Sequence, residues 1–298
     1  MFLKGREPAV GVIAGILSTL ALCYSFVVVP PVGALAVFLV PFPGIYFTLL
    51  YGRKTGICIG AAVVAALAML NQQLLLSYLF QWLPLALLLP ELISRRCAVS
   101  RAIFIAVGIQ MFLLSALNVF MPGSSSEAEV GKIVDLALAP LGGKIDADTI
   151  LRTKDFLERI YPSCLVINSG MVALCNVLVV RCFKKTREKL SYSAGFLEFR
   201  NHDYLVWLLI VSGFSLLSSN TVVDSFALNF LILALFLYLV QGLAVVAYVF
   251  RRSSLPRFLQ PLFYLFMFVQ PYLAVAVTAC GLFDLWVDFR KPKKQENL

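Results

Sequence analysis

Along this chain long apolar runs alternate with short polar connections, and few charges interrupt the runs. A bilayer core about 30 Å thick is crossed by about 20 helical residues. Runs of that order lie at 8–29, 31–51, 55–70, 74–93, 102–121, 161–182, 204–219 and 226–250. Lipid offers the backbone no hydrogen-bond partner, so each span is expected to satisfy its own amides as a helix. A barrel needs short segments of alternating polarity, and none occurs here. The pattern predicts an all-α fold, a polytopic transmembrane helical bundle of about eight spans, with 1–298 as a single integral membrane domain.

A further apolar stretch, 258–288, carries Pro261 and Pro271. Proline withholds an N–H and breaks a helix, so this stretch is read as a shorter C-terminal helical pair turning near Gln270-Pro271. Charge placement agrees with that division. Lys4 and Arg6, Arg53 and Lys54, the Arg95-Arg96-Arg101 group, Arg181 to Lys189, and Arg251, Arg252 and Arg257 mark every second connection. The opposite connections, Pro30-Pro31, Asn71 to Gln73, 122–160 and Ser218 to Ser225, are poorer in positive charge. Positive loops stay inside. The expected location is therefore the bacterial inner (cytoplasmic) membrane, with the N-terminus cytoplasmic. The basic tail Arg290, Lys291, Lys293 and Lys294 is cytoplasmic as well if 258–288 turns back. The first run continues past Val29 without an A-x-A-like site and is expected as a retained helix.

Segment 122–160 is the one sizeable exterior loop. It opens on Pro122-Gly123-Ser124-Ser125-Ser126, a flexible start, and its second half sets Asp148 with Arg152, Lys154 with Glu158 and Asp155 with Arg159 at i,i+4 spacing. With Ile150, Leu157 and Ile160 on one side, it predicts a short amphipathic helix lying on the bundle or at the interface.

Composition narrows the function. Hydrophobic residues make up 60% and charged residues 14% of 298, where a soluble domain has about 25% charged. Lys plus Arg number 25 against 16 Asp plus Glu. The surplus lies at span ends rather than in an aromatic-interleaved basic domain, so the lipid bilayer, not nucleic acid, is the expected partner. Seven scattered cysteines form no CxxC pair and read as apolar packing residues. No HExxH, GxSxG or Walker A sequence is present, and His202 is the one histidine. The sole candidate for chemistry on lipid is the cluster Glu198, Arg200, His202 and Asp203. No catalytic activity, cofactor or metal is expected.

Acidic residues near the membrane are few. Glu91 is placed to cap and pair with the Arg95-Arg96 region, and Asp284 and Asp288 stand four apart beside Arg290 in a cytoplasmic C-terminal motif. Amides are more numerous, at Gln72, Gln73, Gln81, Gln110, Asn118, Asn168, Asn176, Asn229, Gln241 and Gln270. In lipid such groups bond across helices for about 1 kcal/mol or less each. Convergence of Tyr46, Gln81, Trp82, Asn176 and Gln241 would make a mostly apolar ligand pocket with a few orienting groups. Gly11 and Gly15, and Gly52, Gly56 and Gly60, fall in GxxxG spacing and predict close helix contacts, within the chain or with another membrane protein.

Several stretches resemble a known family. They are Pro41-Phe42-Pro43 with Tyr51-Gly52-Arg53-Lys54, Tyr161-Pro162-Ser163 leading through Asn176 to the basic run after Arg181, Tyr238 to Val246, and Gly281 to Asp284 with Asp288-Phe289-Arg290. Together they resemble the YybS-like membrane proteins of bacteria, a family with no assigned activity. That family is remotely similar to the substrate-capture subunits of energy-coupling-factor transporters. The resemblance implies a helical membrane subunit that takes a small molecule from outside and docks on a partner module by small-residue helix faces. The extra spans and segment 122–160 depart from the usual six-helix plan, and no ligand-binding residue transfers by position. The leading expectation is a transporter-like, non-catalytic subunit binding a small molecule or a partner module. The alternative is a membrane scaffold for envelope or division machinery.

Overall fold

The computed structural model describes residues 6–29, 33, 35–120, 131, 134, 146–190, 196–253, 256 and 258–290. Pro30-Pro31, the glycine-serine opening of segment 122–160, Arg257 and the lysines of the tail lie outside the described residues. Among the described residues the fold is helical throughout, with no strand. The longer elements are α1 (Arg6–Val28), α2 (Phe42–Tyr51), α3 (Arg53–Leu70), α4 (Gln72–Ser77), α5 (Leu83–Ser94) and α6 (Val99–Phe120). They continue with α7 (Ala147–Cys182), α8 (Lys184–Arg187), α9 (Leu205–Ser215), α10 (Thr221–Arg252), α11 (Leu259–Val269) and α12 (Pro271–Val287).

Local chemistry explains the boundaries. The Asn71 side chain accepts the Leu74 N–H at 3.0 Å, and that of Asn220 accepts from Val222 at 2.9 Å, each covering an orphan donor at a helix start. Prolines fall in the first turns of α2, α5 and α12, where no backbone N–H is missed. Gly52 turns the chain between α2 and α3 at φ +99°, a conformation other residues rarely adopt.

Among the described residues six helices are long and apolar enough to cross a membrane, and α11 with α12 make a seventh if that pair, bent by 109°, counts as one span. The predicted C-terminal pair is present, divided at Gln270. Two of the eight predicted spans are shorter than expected. Run 31–51 becomes the apolar helical stretch Val37–Tyr51, interrupted near Pro41, and run 204–219 becomes the 11 residues of α9, which stop before the Asn220 cap. Large apolar side chains such as Val10, Ile13 and Leu17 of α1 and Phe104 and Phe112 of α6 are exposed, as lipid-facing residues are.

The expected amphipathic helix and the span 161–182 are one helix, α7, 36 residues long. Pro162 lies within it and opens the backbone ladder. Asn229 of α10 mends the opening. Its Oδ1 accepts the Ser163 N–H at 2.9 Å, and its Nδ2 donates to the Arg159 carbonyl at 2.7 Å. Arg152 pairs with Asp148 at 2.8 Å and Lys154 with Glu158 at 3.8 Å, as the spacing predicts. Arg159 instead pairs with Asp224, because α10 passes close enough to offer that carboxylate.

By internal contact the chain forms two compact units, one of residues 1–140 and 165–193, the other of 141–164 and 194–298. The first is cored by large aliphatics. One cluster centres on Ile45, Leu49, Leu85, Leu89 and Ile93, and a second on Cys23, Ile59, Val63, Tyr78 and Trp82. Along α10 and α12 of the second unit the buried positions are mostly small or polar: Ala227, Ala234, Gln241, Gly242, Ala244, Gly281 and Asp284.

Candidate functional site

In the first unit, α4 passes into α5 through a π-helical turn, Tyr78–Trp82. The Leu83 N–H reaches back to the Tyr78 carbonyl, one residue further than in an α-helix, and Pro84 has no N–H to give. Gln110 of α6 supplies a donor there, its Nε2 lying 2.9 Å from the Gln81 carbonyl. Gln110 is fully buried and Trp82 is 5% exposed. The other end of that amide, Gln110 Oε1, has no hydrogen-bond partner, and neither has Trp82 Nε1. An acceptor and a donor are thus left unpaired around one irregular turn.

The remaining sequence candidates of this unit are occupied differently. Tyr46 stacks against Phe42 and meets the Phe183 ring at 5.0 Å. Asn176, fully buried, donates to the Phe38 carbonyl at 2.8 Å and the Val172 carbonyl at 2.7 Å, while its Oδ1 stays unpartnered. Gln81 takes part through its backbone carbonyl. Glu91 pairs with Arg95 at 2.7 Å and stands 4.0 Å from Arg53.

Four of the five predicted contact glycines, Gly11, Gly15, Gly56 and Gly60, sit at close approaches. A methyl at Gly11 would lie 2.5 Å from the Tyr51 ring, at Gly15 2.5 Å from Ile59 Cδ1, and at Gly60 2.7 Å from Leu83 Cδ1. At Gly56 it would collide with Thr48 Oγ1, 2.0 Å away. Gly52 is the exception to the predicted contact faces. Nothing lies within 4 Å of its added methyl, and the residue serves the turn instead.

The second unit holds a buried charge network. Asp284, 1% exposed, accepts from Arg290 at 2.5 Å and from Gln241 Nε2 at 2.9 Å through one oxygen, and from the Phe289 N–H at 3.2 Å through the other. Gln241, fully buried, also accepts the Asn201 N–H at 3.0 Å. Arg290 donates on to the carbonyls of Leu197 and Phe199, both at 2.9 Å. Asp288 leaves the shared helix face expected for it. It caps α12 in the left-handed conformation, φ 49°. Arg200, of the Glu198 to Asp203 cluster, donates to the Leu285 carbonyl at 3.3 Å.

Sequence reasoning passed over Gly242 and Gly281, the tightest approach in this unit. A methyl on Gly242 would lie 1.9 Å from the Val277 carbonyl oxygen, and one on Gly281 2.0 Å from that of Tyr238. The pair lies in separate helices, so no GxxxG spacing betrays it. The available signal was that both glycines stand inside the stretches carrying the family resemblance, Tyr238 to Val246 and Gly281 to Arg290. Asn201 was likewise missed, being masked by its place in a polar connection.

Lipid-exposed apolar helices, internally satisfied backbones and buried amides define a polytopic helical membrane protein. Residues 16–133 and 141–285 match the model of the predicted membrane protein family DUF2232, and the chain belongs to that family. Neither the curated proteins nor the solved structures compared with it include a match.

Proposed function

We propose that the protein is a transporter-like subunit that binds a small polar molecule, or a partner module presenting one, without catalytic chemistry of its own. The carrying observation is the unpaired donor Trp82 Nε1 and acceptor Gln110 Oε1 beside the π turn. Leaving a buried polar group unsatisfied costs about 1–3 kcal/mol, which a ligand with matching groups recovers. Irregular backbone at membrane depth is tolerated where it is buried in protein or lines a cavity, and π turns recur at functional sites. The likeness to substrate-capture subunits of energy-coupling-factor transporters belongs to the same reading.

The membrane in this reading is the bacterial inner membrane, with the N-terminus and the connections at Arg53, Arg95 and Lys184 cytoplasmic. That alternation requires Val37–Tyr51 and α9 to cross although short. Eleven helical residues reach about 17 Å of a core of about 30 Å, a mismatch that local thinning absorbs. Exposed Cys182 then accepts a membrane-impermeant maleimide from the cytoplasmic face alone. Labelling from the opposite face would reverse the orientation.

The binding test is thermal unfolding of the detergent-purified protein against a library of polar metabolites. A ligand at a hundredfold its Kd stabilises by about 2.7 kcal/mol. The expected result is at least one stabilising metabolite whose effect is lost in Trp82→Phe. A library that leaves the wild type unmoved, or a shift that Trp82→Phe retains, refutes the site.

A further inference from the structure

Three carbonyls that stand three residues ahead of a proline each accept an N–H from the side-chain amide of a different helix. Gln110 donates to Gln81 ahead of Pro84 at 2.9 Å, Asn176 to Phe38 ahead of Pro41 at 2.8 Å, and Asn229 to Arg159 ahead of Pro162 at 2.7 Å. A proline crowds the turn before it and gives that turn no N–H, so the amides act as substitute donors. They differ at the oxygen end. Asn229 Oδ1 takes the Ser163 N–H and so ties both sides of its proline, whereas Gln110 Oε1 and Asn176 Oδ1 tie nothing. The backbone follows that difference. It stays α-helical through Pro162, but passes into a 3₁₀ turn, Val37–Leu39, before Pro41 and into the π turn before Pro84. Lapses of this kind inside a helical run recur at hinges and functional sites.

At Pro84 the two sides of the break are unequally held. Beyond it α5 buries Leu85, Ala86, Leu89 and Ile93, while α4, ahead of the π turn, buries no residue. Segments with few buried contacts open at the least cost. We propose that α4 is a gate hinged at the π turn, with the Gln110 amide as its releasable clip. A side-chain clip lets go by rotation about its own bonds and leaves the backbone hydrogen bonds of α5 and α6 intact. Swinging α4 away uncovers Trp82 Nε1 and Gln110 Oε1. In its role as an entrance the gate rests on the binding reading above, whereas its movement does not.

Trp82 reports the gate directly once the exposed Trp207 and Trp286 are replaced by Phe, which leaves it the one tryptophan of the chain. Its fluorescence is quenched with aqueous acrylamide on the ligand-free protein in bilayer discs, so the outcome is independent of whether any metabolite binds. Gln110→Leu removes the clip and raises the quenching rate, by about fivefold for the loss of one ordinary hydrogen bond. Pro84→Ala restores a backbone donor, lowers quenching below that of the parent, and makes Gln110→Leu silent. Quenching left unchanged by Pro84→Ala overturns the hinge. An effect of Gln110→Leu that is equally large with Pro84 and with Pro84→Ala overturns the clip.

Discussion

The two units associate their helices by different means. In the unit of residues 1–140 and 165–193, aliphatic side chains interlock, and each glycine of the α1 and α3 stripes, Gly52 apart, admits a neighbouring side chain. In the other unit, α10 and α12 approach backbone to backbone at Gly242 and Gly281, and the Gln241, Asp284 and Arg290 network lies beside that approach. Lipid tails are as apolar as leucine, so burying aliphatics drives helix association in a membrane much less than in water. Close packing and satisfied polar groups are the remaining sources of attraction. One unit relies mainly on the first, and the other adds the second.

The largest test of that contrast is removal of Arg290. Arg290→Ala strands the buried Asp284 carboxylate, a loss of about 3–5 kcal/mol when one partner of such a pair is deleted. Unfolding in bilayer discs should show it as more severe than any of the glycine substitutions below, and an effect under about 1 kcal/mol would mean that the carboxylate is solvated or protonated instead. Next come the glycines. At Gly281→Ala and Gly242→Ala the obstacle is a carbonyl oxygen, so overpacking should reach the upper part of the usual range of about 1–3 kcal/mol or exceed it. Smallest are Gly15→Ala and Gly60→Ala, where a methyl at the end of Ile59 or Leu83 has only to turn aside, and a cost under about 1 kcal/mol is expected in the same assay. Equal costs in the two units would abolish the distinction.

Hydropathy made the helical membrane fold legible, because a low-dielectric solvent leaves the backbone few choices. Span number was less legible. Run length does not reveal that the first proline-rich run is broken near Pro41 or that α9 stops at Ser215. Of the site, Trp82, Asn176 and Gln241 were visible as polar groups in apolar runs, yet what each meets depends on other helices. Trp82 is left unpaired, Asn176 binds a carbonyl 138 residues away, and Gln241 joins a buried ion pair. Asp284 with Arg290 was readable because the two lie six residues apart.

The stitch at Pro162 bears on the order in which the protein is made. All of the first unit has been synthesised once Ser193 is added, including the part of α7 that it uses. Asn229, which closes the opened ladder of α7, follows 66 residues after Ser163. Domains generally assemble N-terminal first during synthesis. The growing chain therefore completes its aliphatic unit while the upstream half of α7 still carries an unbonded carbonyl at Arg159. Arrival of α10 supplies the missing amide, so this half of α7 is completed late although it is made early.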